Sequence, residues 1–309
     1  MAITTTPMDV ALDVQKLFRD LMFGAETMEK KVAQLIPGNR NKVTLHRFYS
    51  GVQNITTRVA TPTVSADALT KDEKVITMGE IMYYDEWDPK EFNVEPSFLR
   101  TIGPTVDAQS AVVLLNAIRD SVVTAFNYDL EFLLWNGDTT SGDAWSEAID
   151  GFVKLIDADG TVINVTPAGA ITSSNIIAIL ESVKAAMPST VKALGDPVMV
   201  MNRDAFEAYD TALRALDFKG VDVTEEAPSR FAGIQLVPLT HIPANRIFGF
   251  NAGGGDMAEL KCAAWADADK FTVKIDRIAA NSDEFFIKIN AEVGVNHVYG
   301  KQITEYSAA

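Results

Sequence analysis

The chain has 309 residues, 47% of them hydrophobic and 22% charged, a balance typical of a globular protein with a sizeable core. A formal net charge of −15 argues against nucleic-acid binding as the main function, because neutralising phosphates requires clustered Lys and Arg. The single Cys262 excludes an internal disulfide framework and a cysteine-based metal cluster. Residues 1–9 lack the features of a signal peptide, and no apolar run could cross a bilayer, so we expect neither secretion by that route nor a membrane span.

Residues 8–36 are predicted to form an amphipathic N-terminal segment. Its apolar residues recur at helical spacing, with an interruption at Gly24 and a stop at Pro37 and Gly38. Two interpretations remain open: an arm that docks on another surface, or a peripheral helix of the same fold. The apolar residues are Val10, Val14, Leu17, Phe18, Leu21, Val32, Leu35 and Ile36.

Between Asn39 and Asp88 the sequence changes to β-branched and polar residues, which predicts a β-ribbon. A two-stranded ribbon is marginally stable alone in water, and its edges invite aggregation, so we expect it to lie on a neighbouring subunit. The predicted strands are residues 43–49, 54–61, 74–78 and 80–84, with Pro62 and residues 65–73 at the tip.

Residues 105–137 are predicted to form one long amphipathic helix, preceded by Pro104, capped by Thr105 or Asp107 and ended by Gly137. At 1.5 Å per residue the helix would be roughly 45 Å long, enough to cross a whole domain. At 100° per residue the apolar arc contains Ala111, Leu115, Ile118, Val122, Phe126, Leu130 and Leu133. The polar arc contains Asn116, Asp120, Thr124, Asn127 and Glu131.

After residue 172 the sequence alternates between helix and strand, which predicts a compact α/β subdomain. Residues 257–306 are strand-like, and residues 285–290 alternate apolar and polar positions. We expect these late strands to cover the exposed flank of the long helix. The subdomain elements are helix 173–187, strand 197–201, a helix opening at Asp204 with capping-box spacing to Glu207, and strands 234–237 and 246–250.

No catalytic, cofactor-binding or metal-binding constellation is predicted, so we expect neither enzyme activity nor a cofactor. The histidines are scattered along the chain, and Cys262 lies in an apolar context that is typical of a buried, inert thiol. Residues 253–255 lack the Lys and Ser/Thr of a phosphate loop, and residues 157–161, which lack a calcium-loop ligand set, predict a turn. Residues 83–87 are either a ligand patch or, more commonly for aromatics beside acids, a packing hinge. The histidines are His46, His241 and His297.

Taken in order, these segments resemble the major capsid proteins of tailed bacteriophages, the HK-ninety-seven-type coat fold that is shared with encapsulins. Residues 133–142 leading to 149–152 are similar to the Gly-Asp-Gly turn after the family's spine helix. Residues 197–206 are similar to its strand into a helix. Residues 231–250 resemble its pair of short strands, and residues 291–299 resemble its last long strand.

The resemblance implies an α+β protein of the HK-ninety-seven-type capsid fold, with the parts of that fold in chain order. These are the N-terminal arm (1–38), the E-loop β-ribbon and its base (39–100), the P domain with its long spine helix (101–150), the α/β A domain (151–254), and the return strands of the P domain with the last strand to the A domain (255–309).

The implied function is that of a major capsid protein, a homo-oligomer that assembles in the bacterial host cytoplasm into hexamers and pentamers of an icosahedral head. This virion shell would enclose DNA without sequence-specific binding, and scaffolding, portal and decoration proteins are its implied partners. An encapsulin-type protein compartment and a small α/β enzyme with an unrecognised site remain alternatives. The cross-linking asparagine and glutamate of some family members fall near Asp283 and Asn290, so we expect no Lys–Asn isopeptide bonds.

Overall fold

The computed structural model describes residues 20–21, 24–37, 42–49, 58, 70–87, 108–215, 229–252, 258–265, 272–278 and 284–308. Its helices are α1 (Glu26–Glu29), α2 (Ala108–Asn136), α3 (Phe152–Asp157), α4 (Ile176–Ala186), α5 (Ser189–Leu194) and α6 (Arg203–Arg214). Its strands are β1 (Gln34–Pro37), β2 (Lys42–Tyr49), β3 (Thr70–Thr77), β4 (Gly79–Trp87), β5 (Ile163–Val165), β6 (Asp196–Asn202), β7 (Arg230–Phe231), β8 (Ile234–Leu239), β9 (Arg246–Ala252), β10 (Leu260–Ala264), β11 (Thr272–Arg277), β12 (Phe285–His297) and β13 (Thr304–Ser307).

The strands form two large sheets and one hairpin. The five-stranded long sheet has the order β1-β10-β12-β11, and β4 pairs along the other edge of β12. The six-stranded mixed sheet has the order β5-β13-β9-β6-β8-β7, in which β6 is parallel to β8 and antiparallel to β9. Strands β2 and β3 form the separate hairpin. Since β12 belongs to the long sheet and β13 to the mixed sheet, the C-terminal strands connect the two.

The long helix is confirmed as α2, which contains 29 residues and is about 43 Å long. The late strands do cover it, as expected, because its apolar arc shares one core with β12 and β10. In that core the ring of Phe126 meets the edge of Tyr83 on β4, with centroids 6.4 Å apart. The shared core includes Val122, Phe126, Leu130, Leu133, Leu260, Cys262, Ile287, Ile289, Ala291 and Val293.

The mixed sheet separates two cores because successive side chains of a strand point to opposite faces. On β6, Val198 and Val200 pack into the core beneath α2, whereas Met199 and Met201 face α4 and α6. The predicted α/β alternation is therefore confirmed. The capping of α6 differs from the prediction: the side chain of Asn202, rather than Asp204, caps the helix by accepting the amide of Asp204 at 2.9 Å.

The helix predicted through residues 30–36 is wrong. Lys31 has a φ of 56°, a conformation that ends the short helix α1, and the chain then enters β1. Strand β1 runs parallel to β10, with Gln34 opposite Lys261. The apolar character of Leu35 and Ile36 therefore reflects partial burial in a sheet.

The hairpin confirms the first and third predicted strands of the ribbon, but β3 already begins at Thr70, where the tip was predicted. The fourth predicted strand, residues 80–84, lies instead in β4 of the long sheet, where it pairs with β12. The hairpin connection and the predicted strand 54–61 lie outside the described residues, apart from Arg58. Residues 8–19 and 253–255 also lie outside them. Within the described part of the chain, no helix is both long and apolar enough to cross a membrane.

Candidate assembly surfaces

A buried polar network fixes the N-terminal segment against α2. The Glu131 carboxylate accepts the amide of Thr27 at 3.0 Å and also its hydroxyl, while Trp135 Nε1 donates to Thr27 Oγ1 at 2.7 Å. Burial raises the pKa of Glu131, and the hydrogen bonds from Thr27 oppose that shift. The polar arc of the helix is therefore covered at Glu131, which is only 2% exposed. No sequence pattern indicated this pairing.

Glu26 makes a second attachment, from α1 to the mixed-sheet subdomain. Its carboxylate accepts the Lys30 ammonium at 2.8 Å, the Arg203 guanidinium at 2.6 Å and the Thr240 amide at 2.8 Å. Burial by itself raises the pKa of Glu26, but the hydrogen bonds from Lys30, Thr240 and Arg203 lower it to about 2. Thr27 therefore attaches α1 to α2, and Glu26 attaches α1 to the mixed-sheet subdomain.

The root of the β2–β3 hairpin is held by three side chains from distant parts of the sequence. Lys74 on β3 contacts both Asp159 and His297, and His297 Nε2 lies 2.8 Å from Asp159 Oδ2. Thr161 donates its amide to Asp159 Oδ1 at 2.9 Å and its hydroxyl to the same oxygen at 2.7 Å. The predicted turn is therefore present after Asp157, which is itself the last residue of α3. Burial favours a higher pKa for Asp159, but the hydrogen bonds from Lys74, His297 and Thr161 hold that pKa well below its usual range.

Away from this root the hairpin has little core of its own. Of its described side chains, only Leu45 and Ile76 are buried, and they pack on Ala263 and Val298 of the body. Val75 is 44% exposed, and His46 lies 3.2 Å from Glu73 on the hairpin surface. The hairpin therefore offers an extended surface whose described residues bury few side chains within their own subunit.

The turn after α2 brings together the two segments that resemble the Gly-Asp-Gly turn. Lys154 Nζ lies 2.5 Å from Asp138 and 2.6 Å from Asp150, and Asp150 also accepts the Thr139 amide at 3.0 Å. The Lys154 hydrogen bond lowers the pKa of Asp138 to about 2. A Cβ at Gly151 would lie 2.6 Å from the Trp135 carbonyl oxygen, so this close approach of two backbone segments requires glycine.

The residues considered for chemistry do not converge. His46, His241 and His297 lie beside Glu73, the Tyr128 ring and Asp159 respectively, in three separate places. The described residues contain no group of three or more His, Cys, Asp or Glu side chains that could hold a metal ion. Burial, with a contribution from the charge of Glu131, raises the pKa of the Cys262 thiol to about 12, so it is not a nucleophile at neutral pH.

Residues 83–87, for which a ligand patch and a packing hinge were both considered, lie in β4. There they alternate between the core and the outer face of the long sheet. Tyr83 packs on Phe126, whereas Tyr84 stacks on Phe286 with centroids 5.9 Å apart. The packing interpretation is therefore the better one for Tyr83. Asn290, the position near which a cross-linking glutamate would fall, donates to Thr272 Oγ1 at 3.0 Å.

The described residues form a mixed α+β chain in which one long helix lies under a long sheet and beside a mixed sheet. No protein-family model and no curated protein sequence matches the chain. Solved structures match over nearly the whole length. The capsid of a native GTA particle is 15% identical with a TM-score of 0.57, and the match covers 100% of this chain and 95% of that one.

Two further capsids give the same result. The satellite phage P4 procapsid that includes the size determination protein is 12% identical with a TM-score of 0.61, covering 98% of this chain and 92% of that one. The capsid of Myoviridae phage XM1 is 10% identical with a TM-score of 0.57, covering 92% of each chain. The resemblance predicted from the sequence is therefore confirmed at the level of the fold.

Proposed function

We propose that this protein is the major capsid protein of a tailed bacteriophage, which self-assembles into the hexamers and pentamers of an icosahedral head around DNA. The observation that carries the proposal is the fold match to capsid subunits over 92% or more of this chain. Its role is structural rather than enzymatic, and its location is the virion after assembly in the bacterial host.

Within this proposal the elements take the roles of the capsid fold. Helix α2 is the spine helix of a P domain over residues 101–150, and residues 39–100 are the E-loop and its base. Residues 151–254 form the A domain, and residues 255–309 return through the P domain to it. Residues 1–38 form the N-terminal arm, which is supported on α2 through Thr27 and Glu131.

The shape of the subunit supports assembly with further copies. The hairpin buries two side chains among its described residues, so it adds little to the stability of a monomer. An isolated two-stranded ribbon is only marginally stable in water. Contacts made by such a hairpin on a neighbour are repeated by symmetry in every copy of a closed assembly. Scaffolding, portal and decoration proteins are the further partners that we propose for such a shell.

Negative-stain electron microscopy of the purified protein, together with sedimentation velocity, tests the proposal. We expect closed particles of megadalton mass, formed by the protein alone or with a scaffolding protein supplied. The nuclease-protected DNA content of particles from infected cells separates a phage head from an encapsulin-type compartment, which would hold protein. A subunit that stays monomeric under all these conditions would refute the shell.

A further inference from the structure

The outer face of the long sheet carries exposed apolar side chains beside two lysines. Met82 and Tyr84 on β4 are 63% and 48% exposed, on the side of the strand opposite to the core residues. Lys288 on β12 lies opposite Tyr84 on one side and opposite Lys274 of β11 on the other. We call Met82, Tyr84, Lys274 and Lys288 the outer sheet face.

Lys274 and Lys288 lie directly opposite each other in the pair formed by β11 and β12. Like charges directly opposite each other destabilise a strand pair, and neither Lys274 nor Lys288 forms an ion pair within the described residues. Asp276 and Glu86 occupy the next row of the sheet, where Glu86 accepts the hydroxyl of Tyr84. Carboxylates supplied from outside the subunit would therefore relieve the repulsion between the two lysines.

The loop after α2 has the complementary chemistry. Trp145 is 49% exposed and stacks on Phe132 with centroids 4.2 Å apart. Asp143 and Glu147 are exposed two residues to either side of it, and the Glu147 amide donates to the Asp143 carbonyl at 3.1 Å. We call Asp143, Trp145 and Glu147 the acidic loop.

The acidic loop is held in place before any partner arrives. Lys154 bridges Asp138 and Asp150 at the two ends of the loop, and the Asp138 amide donates to the Ser146 carbonyl at 2.9 Å. A loop that is already ordered loses less conformational entropy on binding than a free one, which favours its use in an interface.

We propose that the acidic loop of one copy docks on the outer sheet face of a second copy. Asp143 and Glu147 then face Lys274 and Lys288, and Trp145 packs against Met82 and Tyr84 of the neighbour. The inference rests on the proposed shell, because it names one contact between its subunits. The partner is a second copy because the exposed aromatic ring with two acids and the exposed apolar residues with two lysines occur on the same chain.

Because the two surfaces differ, the contact is heterologous, running from the loop of one copy to the sheet of the next. A heterologous contact closes into a ring when the rotation between copies allows it, and it is not satisfied in an isolated two-fold dimer. This is the symmetry that a capsomer requires. Exposed ion pairs are individually weak, so the geometry would be enforced by many copies acting together.

Charge reversal tests the contact. We expect the pair Lys274→Glu and Lys288→Glu to melt cooperatively but to lose the large species in sedimentation velocity, and the pair Asp143→Lys and Glu147→Lys to do the same. The variant that combines all four substitutions should regain assembly, because the charges face each other again with opposite sign. The matched control, Lys31→Glu with Lys192→Glu, makes the same change in net charge at two exposed lysines elsewhere and should assemble like the wild type.

Each alternative result counts against the contact. If either double variant assembles like the wild type, the proposed contact is wrong. This also holds if the Lys274→Glu and Lys288→Glu variant forms normal particles that contain less DNA. Failure of the four-fold variant to assemble, although it melts cooperatively, would also overturn it. If a reversal prevents folding, the neutral pair Lys274→Gln and Lys288→Gln replaces it, and unchanged assembly of that pair refutes the contact. If the wild-type protein never assembles, the proposed function as a shell protein is wrong, and the contact is then refuted with it.

Discussion

Removing the Thr27 hydroxyl should destabilise the subunit far more than the loss of one oxygen atom suggests. Thr27, Glu131 and Trp135 are 0%, 2% and 0% exposed, so water cannot replace a lost partner. Thr27→Val keeps the size of the side chain but leaves the Trp135 Nε1–H and one Glu131 oxygen without the hydroxyl. A buried unsatisfied polar group costs about 1–3 kcal/mol, and more when it is charged, so the free energy of unfolding should fall by about 3–5 kcal/mol.

Chemical denaturation of the unassembled subunit, followed by tryptophan fluorescence, measures this loss. Thr27→Ser is the matched control, because it keeps the hydroxyl and removes only a methyl group, at a cost of about 1 kcal/mol. Combining Thr27→Val with Glu131→Gln tests the coupling, and the combined loss should be smaller than the sum of the two single losses. A Thr27→Val variant that unfolds within about 0.5 kcal/mol of the wild type, the range of ordinary surface substitutions, would refute the role of the network.

Three further predictions concern the hairpin, Glu305 and the absence of covalent cross-links. Excising residues 51–69 and closing the gap with a Gly/Ser linker keeps Lys74 at the root of the hairpin. The variant should therefore melt cooperatively by circular dichroism but form no shell in sedimentation velocity. An unfolded variant would contradict this prediction. Burial raises the pKa of Glu305 to about 7. The wild type should therefore lose stability relative to Glu305→Gln as the pH rises from about 4.5 to about 7. If the melting temperatures of the two proteins change equally with pH across that range, the prediction is wrong. Boiled particles should run on a denaturing gel as one band near 33.6 kDa, without covalent ladders.

The sign of the Glu305 effect follows from its surroundings. The carboxyl group is buried on β13, which raises its pKa; the charge of Asp157 raises it further, while Arg246, 2.9 Å away, lowers it. The folded state therefore holds a proton that the unfolded state has released between the ordinary pKa of about 4.5 and about 7. Protonation in that range favours the folded state, so stability falls as the pH rises through it.

The long helix could be predicted from the sequence because its apolar period persists from Ala111 to Leu133, over about six turns, which no strand pattern imitates. The short segment at residues 32–36 could not, because three apolar residues at helical spacing are equally consistent with a strand buried on β10. The arrangement of these elements could be predicted only through the resemblance of the ordered segments to the capsid family, because periodicity alone indicates a mixed α+β chain without its arrangement.

The polar attachments could not be predicted because each depends on a fold that the sequence pattern does not specify in detail. Thr27 and Glu131 are 104 residues apart, and Lys74 meets Asp159 and His297 across 85 and 223 residues. A threonine, a lysine or an aspartate at such positions has the same local pattern whether it is exposed or buried. Only the placement of α1 on α2, and of the hairpin beside β12, distinguishes these cases.

The hairpin root shows which parts of its own subunit hold the hairpin in place. Lys74 is fixed by Asp159 from the turn after α3 and by His297 at the end of β12, so the direction in which the hairpin leaves the body is set by both large sheets. Beyond the root, the described hairpin residues rely on few contacts within the subunit.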